Sequence, residues 1–142
     1  MLQETLFNIP YYTIPTLNFK EKKKKLTNLL NSYPEEKHGI QTFHTNRQSD
    51  RSGLSNGFAQ IMGEELGLLT ERLKHGLNIE DIWSVSYGKG DYHSPHNHGS
   101  LGYSGILYLN LPKDSPGTSY IQPWNDVQND TSIYHPINVV EG

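Results

Sequence analysis

The sequence predicts one α+β domain, with helices packed on one face of an antiparallel or barrel-like sheet. Three observations predict it. The first half of the chain repeats its apolar residues with helical spacing, the second half alternates, and no helix separates the alternating segments. The 142 residues are enough for a single domain with one modest core. We divide that domain into an N-terminal support, 1–78, and a β core, 79–142.

The elements follow in order. Residues 5–17, TLFNIPYYTIPTL, are apolar, β-prone and twice interrupted by proline, which predicts an edge strand. Asn18 then caps a helix over 19–32 with Leu26, Leu29 and Leu30 on one stripe, and Tyr33-Pro34 ends it. Residues 34–54 are polar and rich in turn formers, with a short extended piece at 40–45. A second helix spans 55–74 on the stripe Phe58, Ile61, Met62, Leu66, Leu69 and Leu73, and Gly76 stops it. IWSVSYGKG (82–90), YSGILYLNLP (103–112), TSYIQPW (118–124) and INVVEG (137–142) then read as strands in series. The turn DSPG and a polar loop over 125–132 separate the later ones.

Composition excludes several function classes. With 34% hydrophobic and 19% charged residues the chain is globular rather than a disordered tail, and nine tyrosines and four phenylalanines favour a β-rich core. A net charge of −3 provides no basic field for nucleic acid or anionic lipid. The run KEKKKK, 20–25, begins where the first helix begins and predicts a solvated helix face. The absence of cysteine removes disulfides, thiolate zinc sites and thiol nucleophiles, and is compatible with a reducing compartment. No apolar run nears the ~20 residues of a membrane span, and MLQETLFNIPYY has no signal-peptide pattern. A cytoplasmic location is expected.

The chemistry concentrates in GDYHSPHNHGS, 90–100, where His93, His96 and His98 fall within six positions. Histidines at i and i+2 on a strand point to one face, so His96 and His98 can converge on one ion. Pro95 restricts the backbone before them, and Gly88, Gly90 and Gly99 leave room for close approach. The spacing does not fix which way His93 faces. By itself a His-x-His in a Gly/Ser/Asn-rich loop reads equally well as solvated; the flanking aromatic strands favour a metal site.

Those flanks carry a resemblance. WSVSYGKGDYHSPHNHGSLGYSGILYLNLP, then PGTSYIQPW and VVEG, resembles the 2-oxoglutarate-Fe(II) oxygenase superfamily. Within it these stretches resemble small oxygenase-like proteins of marine phages and metagenomes, and more distantly prolyl hydroxylases. The likeness covers 79–142, and the helical half matches in outline only. It implies a double-stranded β-helix (a cupin-like jelly roll) with the N-terminal helices on one sheet. It also implies Fe(II) and 2-oxoglutarate as cofactor and cosubstrate, and a dioxygenase that hydroxylates its substrate. His96 falls at the first iron ligand. His98 falls where most of the superfamily has Asp or Glu, a departure with two readings: a neutral second ligand, or a place left to water or halide as in the superfamily's halogenases. Tyr108, in GILYLN, falls at a tyrosine that binds the far carboxylate of 2-oxoglutarate, and Tyr87 is the second candidate for lining that pocket. Trp83 and Trp124 read as core or cleft wall.

Two parts of the family's pattern have no match. No Lys or Arg follows Lys113 to bind the cosubstrate, and the last histidine, His135 in IYHPI, precedes the position of the distal iron ligand. The resemblance therefore implies that the last strands are missing, that the chain alone is inactive as an oxygenase, and that a homodimer covers the exposed strand edges. His135 is the candidate replacement ligand. The substrate is unreadable, a peptidyl proline being only the analogical choice. The rival readings are a cupin-like zinc or manganese protein without cosubstrate and a non-catalytic β-sandwich binding module.

Overall fold

The computed structural model describes residues 10–39, 42–98, 102–121, 132, 134–137 and 139–142. Among them lie α1 (Phe19–Leu30), β1 (Glu36–Lys37), β2 (His44–Thr45), α2 (Leu54–Ile61), α3 (Gly63–Leu73), β3 (Val85–Ser86), β4 (Ser119–Ile121) and β5 (Tyr134–Pro136). The chain is α+β, with short strands in two small antiparallel sheets, β1-β2-β3 and β4-β5. The double-stranded β-helix expected from the resemblance is not seen among the described residues.

Helix α1 starts as expected at Asn18, by a different device. Asn18 sits in the left-handed region (φ 51°) and makes no side-chain cap. An N-cap side-chain bond needs extended backbone, whereas Asn tolerates left-handed geometry. The Asn18 carbonyl instead accepts from the Glu21 and Lys22 amides. The lysine run is not wholly solvated. Lys22 shares a helical face with Leu26, and both are buried. Its ammonium reaches both carboxylate oxygens of Glu65 at 2.9 Å and Glu64 at 2.6 Å. The Leu17 amide adds a 2.7 Å bond to Glu65. Burial pushes the Glu65 carboxyl up, but these donors outweigh it and hold the group below its ordinary range.

The second expected helix is two. Met62 leaves helical geometry (φ −101°, ψ 18°) ahead of Gly63, a weak helix former, so α2 ends and α3 restarts. Helix α3 stops at Lys74, in left-handed geometry, two residues before the expected Gly76. Helices α1 and α2 pack closely because Gly57 has no side chain: a Cβ there would meet Leu29 Cδ1 and Cδ2 at 2.8 Å. Among the described residues Leu26, Phe43, Leu54 and Met62 form the buried apolar core.

The small sheet joins this core to the region of the histidines. In β2 the side chains alternate, Phe43 and Thr45 inward and His44 outward. Asn46, 1% exposed, follows and is the main polar junction. Its Nδ2 donates to the Tyr33 carbonyl and its Oδ1 accepts the Ser84 amide at 2.9 Å. Thr45 Oγ1 donates to the Ser84 carbonyl at 2.8 Å. Together they fasten 45–46 to the segment that begins β3.

The later strands are shorter than the alternation predicts. Only Val85–Ser86 pairs within 82–90, and 103–112 forms no ladder among the described residues. That stretch is held by isolated bonds: Gly142 N–H to the Tyr108 carbonyl, and Leu111 N–H to the Glu141 carboxylate. Ser119–Ile121 falls within the expected 118–124 strand and pairs with Tyr134–Pro136, which lies outside the expected strands. The rest of 118–124, with Trp124, and most of 5–17 lie outside the described residues, and 10–17 form no strand.

Candidate metal centre

The histidines sit on a loop, not on a strand. After β3 the chain turns at Gly88: the Asp91 carboxylate accepts the Gly88 amide at 2.7 Å while the Asp91 amide returns to the Gly88 carbonyl. Gly90 takes φ 87° within this turn. The Tyr92 amide donates to Thr42 Oγ1 at 3.0 Å, tying the loop to the segment before β2. This glycine turn and Pro95 do here what strand alternation is expected to do.

Phe43, 2% exposed, is the floor of the site. The rings of His93, His38 and Tyr87 pack on it, at centroid separations of 4.6, 5.2 and 5.4 Å. Burying one such phenylalanine contributes about 1.5–3 kcal/mol, enough to hold a short loop. His93 in turn stacks on His96, with centroids 4.1 Å apart and planes 23° apart. The Tyr87 hydroxyl lies 3.5 Å from His93 Nδ1. His93 thus acts as a spacer between the hydrophobic floor and His96.

His96 and His98 do come together. Their Nε2 atoms are 3.1 Å apart. Two imidazole nitrogens bound at ~2.1 Å to one ion are ~3.0 Å apart at a right angle and ~3.4 Å in a tetrahedron. His96 Nδ1 lies 2.9 Å from the Ser94 carbonyl, to which it donates, so its Nε2 presents a lone pair toward His98. Burial holds His93 and His98 below the ordinary histidine range, reinforced by the neighbouring His96 and by Arg47. Neutral imidazole is the form that binds metal. The pair therefore fits a divalent transition metal in donor type and spacing. Among the described residues no set of three His, Asp or Glu side chains has metal-holding geometry. His135 lies on β5 opposite Tyr120 and forms no such set with the pair.

The tyrosines divide. Tyr87 is at the site through His93 and Phe43, and burial, then the nearby Tyr108, pushes its hydroxyl pKa up. The Tyr108 hydroxyl is engaged elsewhere: it pairs with Thr118 Oγ1 and accepts the Thr118 amide. It pins 108 to the start of β4. Trp83 is half-buried, its ring 6.3 Å from that of His98 and inclined by 18°. The Arg47 guanidinium lies over the same indole at 4.5 Å.

Three residues of this arrangement were not singled out by the sequence reading: Phe43, Asn46 and Arg47. Phe43 had a signal, the alternation of TFHT beside a short extended piece. Asn46 and Arg47 had none, because their roles come from contacts with 83–84, far along the chain. Among the described residues no helix is long and apolar enough to cross a membrane. No protein-family model, curated protein or solved structure matches the chain.

Proposed function

We propose that this chain carries the His-x-His part of a 2-oxoglutarate- and Fe(II)-dependent oxygenase site, with His96 and His98 as iron ligands. The observation that supports the reading is the 3.1 Å approach of the two Nε2 atoms, with His96 Nδ1 already committed to the Ser94 carbonyl. In the metal-free chain His98 donates its Nε2 proton to the His96 lone pair. For both rings to hold a metal ion through Nε2, the His98 ring proton would have to sit on Nδ1, leaving Nε2 as the second donor. When bound, iron and 2-oxoglutarate supply oxidative decarboxylation to succinate coupled to hydroxylation of a substrate C–H. The chain's own residues orient the pair. His93 and Phe43 hold the His96 ring, Ser94 sets its tautomer, and Trp83 lies beside His98.

Anaerobic addition of Fe(II) and then 2-oxoglutarate tests this. A visible charge-transfer band that needs both, and disappears in His96→Ala, is the expected result. Absence of the band despite tight iron binding overturns it.

A second reading has an observation of its own. Two imidazoles without a carboxylate form a neutral donor pair, which suits zinc as well as iron. A cupin-like metal protein without cosubstrate would bind Zn(II) through the same pair and ignore 2-oxoglutarate.

A further inference from the structure

The stretch 103–107, YSGIL, is a strand-like segment without a ladder. It belongs to neither sheet, and among the described residues none of its backbone amides or carbonyls is hydrogen-bonded. Its two ends are nonetheless held. At one end the Tyr103 ring stacks on His75, just past α3, with centroids 6.1 Å apart. Past the other end the Tyr108 carbonyl accepts the Gly142 amide, and the Tyr108 hydroxyl pairs with Thr118 Oγ1. The stretch is a backbone edge fixed at both ends and open along its length, a preorganised template onto which another strand can add.

Charge says what can cover it. No Lys, Arg, Asp or Glu occurs from Tyr92 to Pro112, so the edge carries none of the charges that keep exposed strands apart. Tyr103 and Ile106 are exposed, and a side chain added at Gly105 would meet nothing within 4 Å. Laid antiparallel on the same stretch of a second copy, with the two Gly105 residues opposite each other, 103 faces 107 and 104 faces 106. Tyr103 then packs on Leu107 of the other copy, and Ile106 covers Ser104. The two-fold axis passes between the glycines, where the two backbones meet with no side chain in the way. A charged partner would find no counter-charge here; a second copy finds an uncharged strand like its own.

We propose that 103–107 is a self-association edge, at which two copies of the chain pair as antiparallel strands about Gly105. This gives a segment and a register to the homodimer that the resemblance implies, and it does not depend on the metal reading. A strand pair this short is a small contact, so the dimer is weak and forms as concentration rises.

The test is sedimentation velocity of the full chain at low ionic strength, over a concentration series. We expect the unsubstituted chain to pass from monomer to dimer on the order of tens to hundreds of micromolar. Ser104→Lys combined with Ile106→Lys sets like charges opposite each other on both sides of the two-fold. It is expected to weaken the dimer by about tenfold or more. Ser104→Lys combined with Ile106→Glu sets opposite charges there, and is expected to associate about tenfold more tightly than the first double variant. Tyr134→Lys, exposed on β5, is expected to associate as the unsubstituted chain does. A chain that stays monomeric throughout overturns the proposal, whatever else binds the edge. Equal association of the two double variants overturns the register, and a loss confined to Tyr134→Lys moves the contact to β5 and overturns the edge. Amide hydrogen exchange of the unsubstituted chain reads the contact without any substitution, so a poorly folded variant does not blunt the test. Protection at 103–107 should rise with concentration; exchange there that is the same at low and high concentration overturns the proposal.

Discussion

The two halves of the molecule bury different things. Among the described residues the four buried apolar side chains, Leu26, Phe43, Leu54 and Met62, precede Gly63. Seven of the eleven large exposed apolar residues among those described, Tyr87, Tyr92, Tyr103, Ile106, Tyr120, Tyr134 and Val140, follow Ser86. The first half is held by packing and by the buried Lys22–Glu65 pair. The second is held by isolated hydrogen bonds and aromatic edges. The difference teaches where order in the histidine loop comes from: not from its own strands but from Phe43, Asn46 and Thr42, which the helical half presents to it.

The comparison is broken most severely at Leu54. At 1% exposure its truncation to alanine is expected to cost about 2–5 kcal/mol, read by chemical denaturation. Ile106→Ala, 64% exposed, is expected to stay within about 0.5 kcal/mol. Similar losses at the two sites would mean that the second half has a core of its own.

Next comes the buried ion pair. Glu65→Gln leaves the Lys22 ammonium with Glu64 alone, and we expect a melting temperature several degrees lower at neutral pH. The pH dependence has a definite sign. The Glu65 carboxyl is held low in the fold, so its stabilisation is complete above the unfolded carboxylate value of about 4.3. It is lost as pH falls through the lower folded value. The melting curves of Glu65→Gln and the unsubstituted chain should therefore converge in acid; a gap that persists there contradicts the account.

The smallest effect is at the site. His93 and His98 are held low, chiefly by burial and then by the neighbouring His96 ring. The stability their neutral rings contribute is complete above about pH 6.5 and is lost as pH falls through 6.5 toward the folded values. Proton NMR titration should find both midpoints below about 6.5. Midpoints at or above it would mean that the rings lie in open solvent.

What the sequence made legible follows from the range of the interactions. The α+β class, helix α1 and the stripe of α2 and α3 rest on local periodicity, and they appear where it places them. The break at Met62 and the burial of Lys22 do not, because each depends on the packing of α1 against the later helices. The histidines were legible as a group, and their convergence was expected from a strand. The structure reaches it through Pro95, a glycine turn and a ring stack. The resemblance implies a ligand-pocket role for Tyr108. Its hydroxyl bonds to Thr118, a partner ten residues away that residue type alone does not reveal.

The central claim is that His96 and His98 form one metal-binding pair with His93 as support. Titration with Co(II), read by its visible spectrum and by calorimetry, tests it most directly. The account predicts one ion per chain, binding abolished in His96→Ala and in His98→Ala, and binding retained with weaker affinity in His93→Ala. Binding that survives in His96→Ala and His98→Ala, or that disappears only in His93→Ala, would contradict it.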